Sequence, residues 1–186
     1  MQNLNGIKIW GHSVSLGGNI EFHGSKNCAM PFLTAAALQY LPATIKNTPN
    51  LSDIHNLLRL FQHCAVNVKI ENNRIDFLHG RLPPKIIDFP PNLSGRLRGS
   101  IYALALPASA GHRALLQTIG GHMSFQPHCK ALRALRLKIS AGLNSIEITG
   151  GKPRSAEFYI DDQGITATSL AVLVAFTIGG NRYTLC

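Results

Sequence analysis

Lys26 sits in a Gly24-Ser25-Lys26-Asn27 turn that runs into an alanine-rich stretch with helical spacing. The first N–H groups of a helix have no partner within it and carry the positive end of its dipole. A lysine placed there adds a full charge to a ready-made phosphate or carboxylate site. Alone the signal is modest, because Gly-Ser-Lys turns also serve as plain connectors. Arg98 holds the matching place in a second stretch of the same kind, in the first turn of a helix that begins near Ser94. Two cations at equivalent helix starts of a repeated unit would converge on one cleft. The arginine would grip an oxyanion as a rigid fork and the lysine would act as a mobile point charge. Without the repeat, Arg98 reads as an ordinary surface residue.

The repeat is visible in the order of elements. Asn19 to Phe22 reads as a strand, and the helix after it, from about Asn27 to Gln39, turns Phe32, Leu33, Ala36, Ala37 and Tyr40 to one face. Asn27 is placed to cap that helix, and Pro31 is tolerable if it falls in the first turn. Ala43 to Lys46 alternates like a strand, and Ser52 is placed to cap a helix with Ile54, Leu57, Leu58 and Phe61 inward. Val66 to Ile70 and Ile75 to Leu78 form a hairpin across Asn72-Asn73. The second unit follows as a strand at Lys85-Ile86-Ile87, a helix from Ser94 or Gly95 to Leu106 and a strand from Ala114 to Gln117. A helix from Pro127 to Ile139 and strands around Ile146 to Ile148 close it. A third begins with Phe158-Tyr159-Ile160 and a helix from about Thr166 to Phe176.

Each unit is β-α-β-α-β-β, and the chain holds about two and a half of them, with residues 1–18 ahead of repeats at about 19–80, 81–150 and 151–186. A period of roughly 65 residues exceeds that of solenoids, so the units should close into one α/β globule with helices inside and small mixed sheets outside.

Composition narrows the partners. At 186 residues with 45% hydrophobic content, the chain can bury one good core, which excludes a disordered class. Ile165 to Gly180 is the most continuous apolar run, but it contains Thr and Ser and reads as a buried helix rather than a membrane span. Met1 to Gly6 is polar and lacks the pattern of a signal peptide, so a soluble, cytoplasmic protein with no membrane partner is expected. Cys28, Cys64, Cys129 and Cys186 are scattered, which favours reduced thiols. His55, His63 and Cys64, or His122, His128 and Cys129, could begin a zinc set. Nothing with ligand spacing completes either, and no metal is expected. The net charge of +9 favours anionic partners. Its densest part, Lys130, Arg133, Arg136 and Lys138, reads as the solvated face of an amphipathic helix. No stacking aromatics or groove-reading helix accompany it, so nucleic acid is not an expected partner.

The segment Phe22-His23-Gly24-Ser25-Lys26-Asn27-Cys28-Ala29-Met30-Pro31 resembles the lysine-asparagine motif of UDP-N-acetylglucosamine 1-carboxyvinyltransferases. Arg96-Leu97-Arg98-Gly99-Ser100-Ile101-Tyr102-Ala103-Leu104 is similar to their arginine-bearing helix. Thr118-Ile119-Gly120-Gly121 resembles the entrance to their mobile cleft loop, and Ile160-Asp161 with Ala167-Thr168 their third repeat. Enolpyruvylshikimate-phosphate synthases usually have serine after the lysine, so Asn27 tips the comparison toward the UDP-sugar enzymes. RNA 3′-phosphate cyclases share the repeat but give no reason for a Lys26-Asn27 pair.

The resemblance implies an inside-out α/β barrel and transfer of enolpyruvyl from phosphoenolpyruvate to a UDP-sugar hydroxyl, in peptidoglycan precursor synthesis, with no cofactor. Lys26 and Arg98 would neutralise phosphate and carboxylate. Asn27, Gly121, Gly164 and Ile165 would contact substrate.

Departures from the family pattern fall on the nucleotide side. His122 follows Gly121 where the family has cysteine or aspartate; it is either an acid or base near neutral pH or a product of drift. The loop to Pro127 is one residue short, and Gln126 replaces an arginine. Cys129 and Ala131 stand where an aspartate and a histidine contact the nucleotide. Asp162 and Gly164-Ile165-Thr166 replace a lysine and a Ser-Val-Gly turn. The family also builds a second domain of three repeats that completes the cleft, and Ile7 to Trp10 would pair with it. Three readings follow. The chain is a truncated homologue, inactive alone; or a divergent transferase for another nucleotide or sugar that works with a separate second-domain chain; or a non-catalytic anion-binding module. Self-association is a further expectation.

Overall fold

The computed structural model describes residues 17–19, 22–78, 80–120, 124–157, 159 and 164–178. Helix α1 spans Lys26–Leu38, strand β1 Ala43–Ile45 and helix α2 Ser52–Gln62. Strands β2, Val68–Glu71, and β3, Arg74–Phe77, form the expected hairpin. Asn72 takes a left-handed φ of 50° in its turn, a conformation asparagine tolerates at little cost. This first sheet is antiparallel in the order β1-β3-β2. Its inner residues Ile75 and Phe77 are buried in the same core as Ile54, Leu57, Leu58 and Phe61 of α2, which are all buried as their spacing predicts.

Two caps differ from expectation. Ser25, not Asn27, precedes α1, because the Ser25 carbonyl accepts the Ala29 N–H at 2.9 Å. Pro31 therefore falls in the second turn and removes the N–H that would reach the Asn27 carbonyl. Ser52 is likewise the first helical residue of α2, with Leu51 ahead of it and no side-chain cap. Of the expected face, Leu33, Ala36 and Ala37 are buried together with Met30, while Phe32 is 63% exposed and Tyr40 lies beyond the helix with φ 54°.

In the second unit, β4 (Ile86–Phe89) pairs in parallel with β5 (Arg113–Gln117). The crossover is broken into α3 (Pro91–Ser94), a 3-10 helix (Arg98–Leu104) and α4 (Ala105–Ala110), where one helix is expected. Pro107 cannot donate to the carbonyl of Ala103, and Gly99 leaves no side chain between the 3-10 helix and Met30. Helix α5 (Gln126–Ala134) stops short of the expected Ile139, which instead belongs to β6 (Lys138–Ala141). Leu135, Leu137 and Ile139 alternate as a strand does, and Arg136 turns through φ 70°. The cationic helix face expected over Lys130 to Lys138 is thus divided among a helix, a turn and a strand. Strand β7 (Ser145–Gly150) joins β6 to β5, giving the order β4-β5-β7-β6.

Helix α6 (Ile165–Phe176) represents the third unit. The expected strands at Ile7 to Trp10, Asn19 to Phe22 and Phe158 to Ile160 rest wholly or partly on residues outside the described ones. Leu33, Phe61, Ile101, Leu104, Leu106, Leu170 and Val174 pack together between the sheets. The helices are inside and the sheets outside, as the repeat predicts.

Candidate functional site

Lys26 is the first residue of α1, and the turn before it is anchored by the Gly24 N–H, which donates to the Asn47 carbonyl at 3.1 Å. A side chain at Gly24 would collide with that carbonyl oxygen, so the close approach requires glycine. The Lys26 Nζ lies 2.7 Å from Asp53 Oδ2, in the first turn of α2. Both groups are partly exposed, so the pair contributes less to stability than to holding the ammonium in place. Asn27 is exposed beside it on α1.

Arg98 opens the 3-10 helix and is half-buried. Its neighbour Gly99 packs on Met30, one turn along α1 from Lys26; a Cβ at Gly99 would lie 2.5 Å from the Met30 sulfur. This contact packs the start of the 3-10 helix against the second turn of α1. Gly120 packs as tightly on the segment leading into Arg98, since a Cβ there would lie 2.9 Å from the Leu97 nitrogen and the Gly95 oxygen. Gly121 and His122 lie outside the described residues.

The third helix start is tied to the second through His128 of α5. His128 is 2% exposed, and its Nε2 is 2.9 Å from Thr166 Oγ1 in the first turn of α6. Burial, aided by the positive Arg98, pushes its pKa down to about 4, so it is a neutral imidazole at pH 7. Its Nδ1 is buried without a hydrogen-bond partner among the described residues. Tyr102, one turn after Arg98, has its phenol pKa raised by burial, with Ser169 and Arg98 pulling the other way. Gly164 precedes α6 and accepts the Thr168 N–H at 2.9 Å, while Ile165 begins the helix with its side chain 80% exposed.

The structure packs the turn that follows Arg98 onto α1 one turn from Lys26, through Gly99 and Met30, and links α5 to the start of α6 through His128 and Thr166. Gln126 is exposed at the start of α5, and Cys129 and Ala131 are wholly buried on its inner face, with the Cys129 thiol pKa raised by burial. Sequence reasoning did not single out Asp53, Thr166 or Tyr102, and it weighed His128 only as a metal ligand. Asp53 carries a local signal, an acid in a first helical turn. The His128–Thr166 pair spans 38 residues and has none. Chemically, Lys26 is a cation held by Asp53, Arg98 is a half-buried guanidinium, and His128 is a neutral imidazole that adds no charge.

This architecture is that of a carboxyvinyl transferase. The enolpyruvyl transferase NikO from Streptomyces tendae superposes with a TM-score of 0.70 at 17% identity, over 86% of this chain and 38% of that one. EPSP synthase from Acinetobacter baumannii gives 0.66 at 12% identity, over 88% and 39%. The chain belongs to the EPSP synthase (3-phosphoshikimate 1-carboxyvinyltransferase) family, whose model matches residues 12–185. Among curated relatives, UDP-N-acetylglucosamine 1-carboxyvinyltransferase from Bradyrhizobium diazoefficiens is 30% identical over 93% of this chain and 40% of its own length. The enzyme of the same name from Chlorobaculum parvum is 31% identical over 89% and 40%. The chain thus spans about 40% of the length of these relatives.

Proposed function

We propose that the chain forms the donor-binding side of a carboxyvinyl transfer site, with phosphoenolpyruvate as donor and a UDP-sugar such as UDP-N-acetylglucosamine as acceptor, in the cytoplasmic synthesis of peptidoglycan precursors. The packing of Gly99, next to Arg98, on Met30, one turn along α1 from Lys26, supports this reading. In the reaction the acceptor oxygen bonds to C2 of the donor as its hydroxyl proton passes to a base, while an acid protonates C3. Phosphate then leaves C2 as the C3 proton is given back. Two cations fixed before the substrate arrives lower the cost of the charge on phosphate and carboxylate. Asn27, Gly121 and the Gly164-Ile165 helix start would hold the acceptor, and His122 is the candidate acid or base in the loop between.

Catalysis needs charges from several places at once, so the 186-residue chain by itself should release no phosphate above background with both substrates present. A second domain would supply the rest of the cleft. Calorimetry tests the binding half of the proposal: phosphoenolpyruvate should bind weakly and more weakly as salt rises, and no binding at low salt would remove it.

A second reading, a divergent transferase with another acceptor, is favoured by Cys129 and Ala131, both wholly buried where relatives by resemblance contact nucleotide. Phosphoenolpyruvate binding without any response to UDP-N-acetylglucosamine would support it.

A further inference from the structure

Between Gln126 and Glu157 the chain carries six Lys and Arg residues and two acids. One of those acids, Glu147, is already paired with Arg113 at 2.7 Å. Five of the cations are drawn to one edge of the second sheet. Arg133 reaches from α5 to the edge strand β6, donating to the Ile139 carbonyl at 3.0 Å. Arg136 lies in the turn between them, and Lys138 begins β6 opposite Gly150. The segment after β7 folds back onto that turn, with the Arg154 N–H donating to the Leu135 carbonyl at 3.0 Å and Lys152 alongside. All five side chains are exposed, and none makes an ion pair among the described residues. The same edge strand runs on to Leu143, which stands fully exposed at the tip of the β6–β7 hairpin.

Charges on an edge strand guard against pairing with another sheet, and that accounts for Arg133 and Lys138. It does not account for Arg136, Lys152 and Arg154, which lie on the connections. We infer that this edge is a docking surface for an anionic lipid bilayer, with the five cations on the headgroups and Leu143 at the acyl boundary. The cations lie at the start of β6 and Leu143 past its far end, so a flat surface laid along this edge meets both, the combination that peripheral membrane contact uses, each feature being too weak alone. The absence of an aromatic side chain among the five cations argues against single-stranded nucleic acid, which is held by base stacking. No helix of the described residues is long and apolar enough to cross a membrane, so the contact is at the surface. The inference departs from the expectation of no membrane partner and is independent of the transfer reaction.

Sedimentation of the full chain with vesicles tests it, comparing phosphatidylcholine alone with phosphatidylcholine mixed with phosphatidylglycerol. The chain should partition onto the mixed vesicles only, and salt should release it. Each cation near such a surface raises partitioning about fivefold, so the double change Lys152→Glu with Arg154→Glu should lower it by about 25-fold or more. Arg59→Glu on α2 should leave it nearly unchanged, and Leu143→Asp should weaken it. Thermal melting identifies any variant that has lost its fold, and Arg154→Lys should retain binding in its place. Equal sedimentation with both vesicle types, none with either, or equal loss in the Arg59 variant would overturn the proposal. Tighter binding to a single-stranded oligonucleotide, lost in the double variant, would overturn it too.

Discussion

Asp53 and His128 set the electrostatics of the candidate site, each in a different way. Asp53 holds the Lys26 ammonium but also offsets its charge. Asp53→Asn should therefore raise the affinity for inorganic phosphate about threefold to fivefold at low salt, with stability changed by less than about 1 kcal/mol. Calorimetry checks this, and weaker binding would mean that Asp53 mainly orients the lysine. His128 makes stability depend on pH. Its folded pKa of about 4 lies below the ordinary value of 6.5, so between these values the unfolded chain binds more protons than the folded one. The stabilisation is present above pH 6.5 and is lost as pH falls toward 4, amounting to about 3 kcal/mol once both forms are protonated. Urea unfolding across that range should show the loss, and His128→Asn should flatten that part of the profile. Lys26 and Arg98 were legible because each sits at a helix start of a repeated unit. His128 was not, since its partners come from other elements and its neutrality arises from burial.

Close packing of glycines sets the positions of the helix starts. Gly24 faces a backbone oxygen, which cannot move without breaking the turn, whereas Gly99 faces a flexible methionine side chain. Gly24→Ala should destabilise by about 2 kcal/mol or more, and Gly99→Ala by less, as Met30 repacks. Thermal melts of the two variants would rank them, and the reverse order would show that the 3-10 helix is the stiffer element. Periodicity located most elements to within a few residues, because burial decides both the pattern and the structure. It failed between Arg136 and Ile139, where Leu135-Arg136-Leu137-Lys138 fits a helix stripe and an alternating strand equally well. Docking of the segment at Arg154 onto Leu135 decides the matter, and no local window contains that contact. The broken crossover between β4 and β5 was hidden for a similar reason. Gly99 and Pro107 are each tolerable in a helix, and the packing of Gly99 on Met30 lies outside any local window.

At the scale of the whole molecule, the inside-out arrangement followed from counting units, because each sheet has one apolar face and must lay it on helices. What counting did not reveal is how much apolar surface stays open. Helix α6 is apolar nearly all round, a composition that suits burial, yet Phe176 is 67% exposed. Phe176, Tyr40, Leu82 and Leu38 line a cleft of about 280 Å³ near the C-terminal ends of α1 and α6. Surface of this kind is a template for association. Light scattering after gel filtration should show dimers or larger species of the 186-residue chain. A sharp monomer peak with a cooperative thermal transition would show that the chain closes its core unaided.

The central claim, that Lys26 and Arg98 serve one anion, is tested most directly by a double-mutant cycle on phosphoenolpyruvate binding. With Lys26→Ala, Arg98→Ala and the double variant measured by calorimetry at low salt, the double change should cost less than the sum of the single ones. Simple additivity would place the two cations in separate sites and contradict the account.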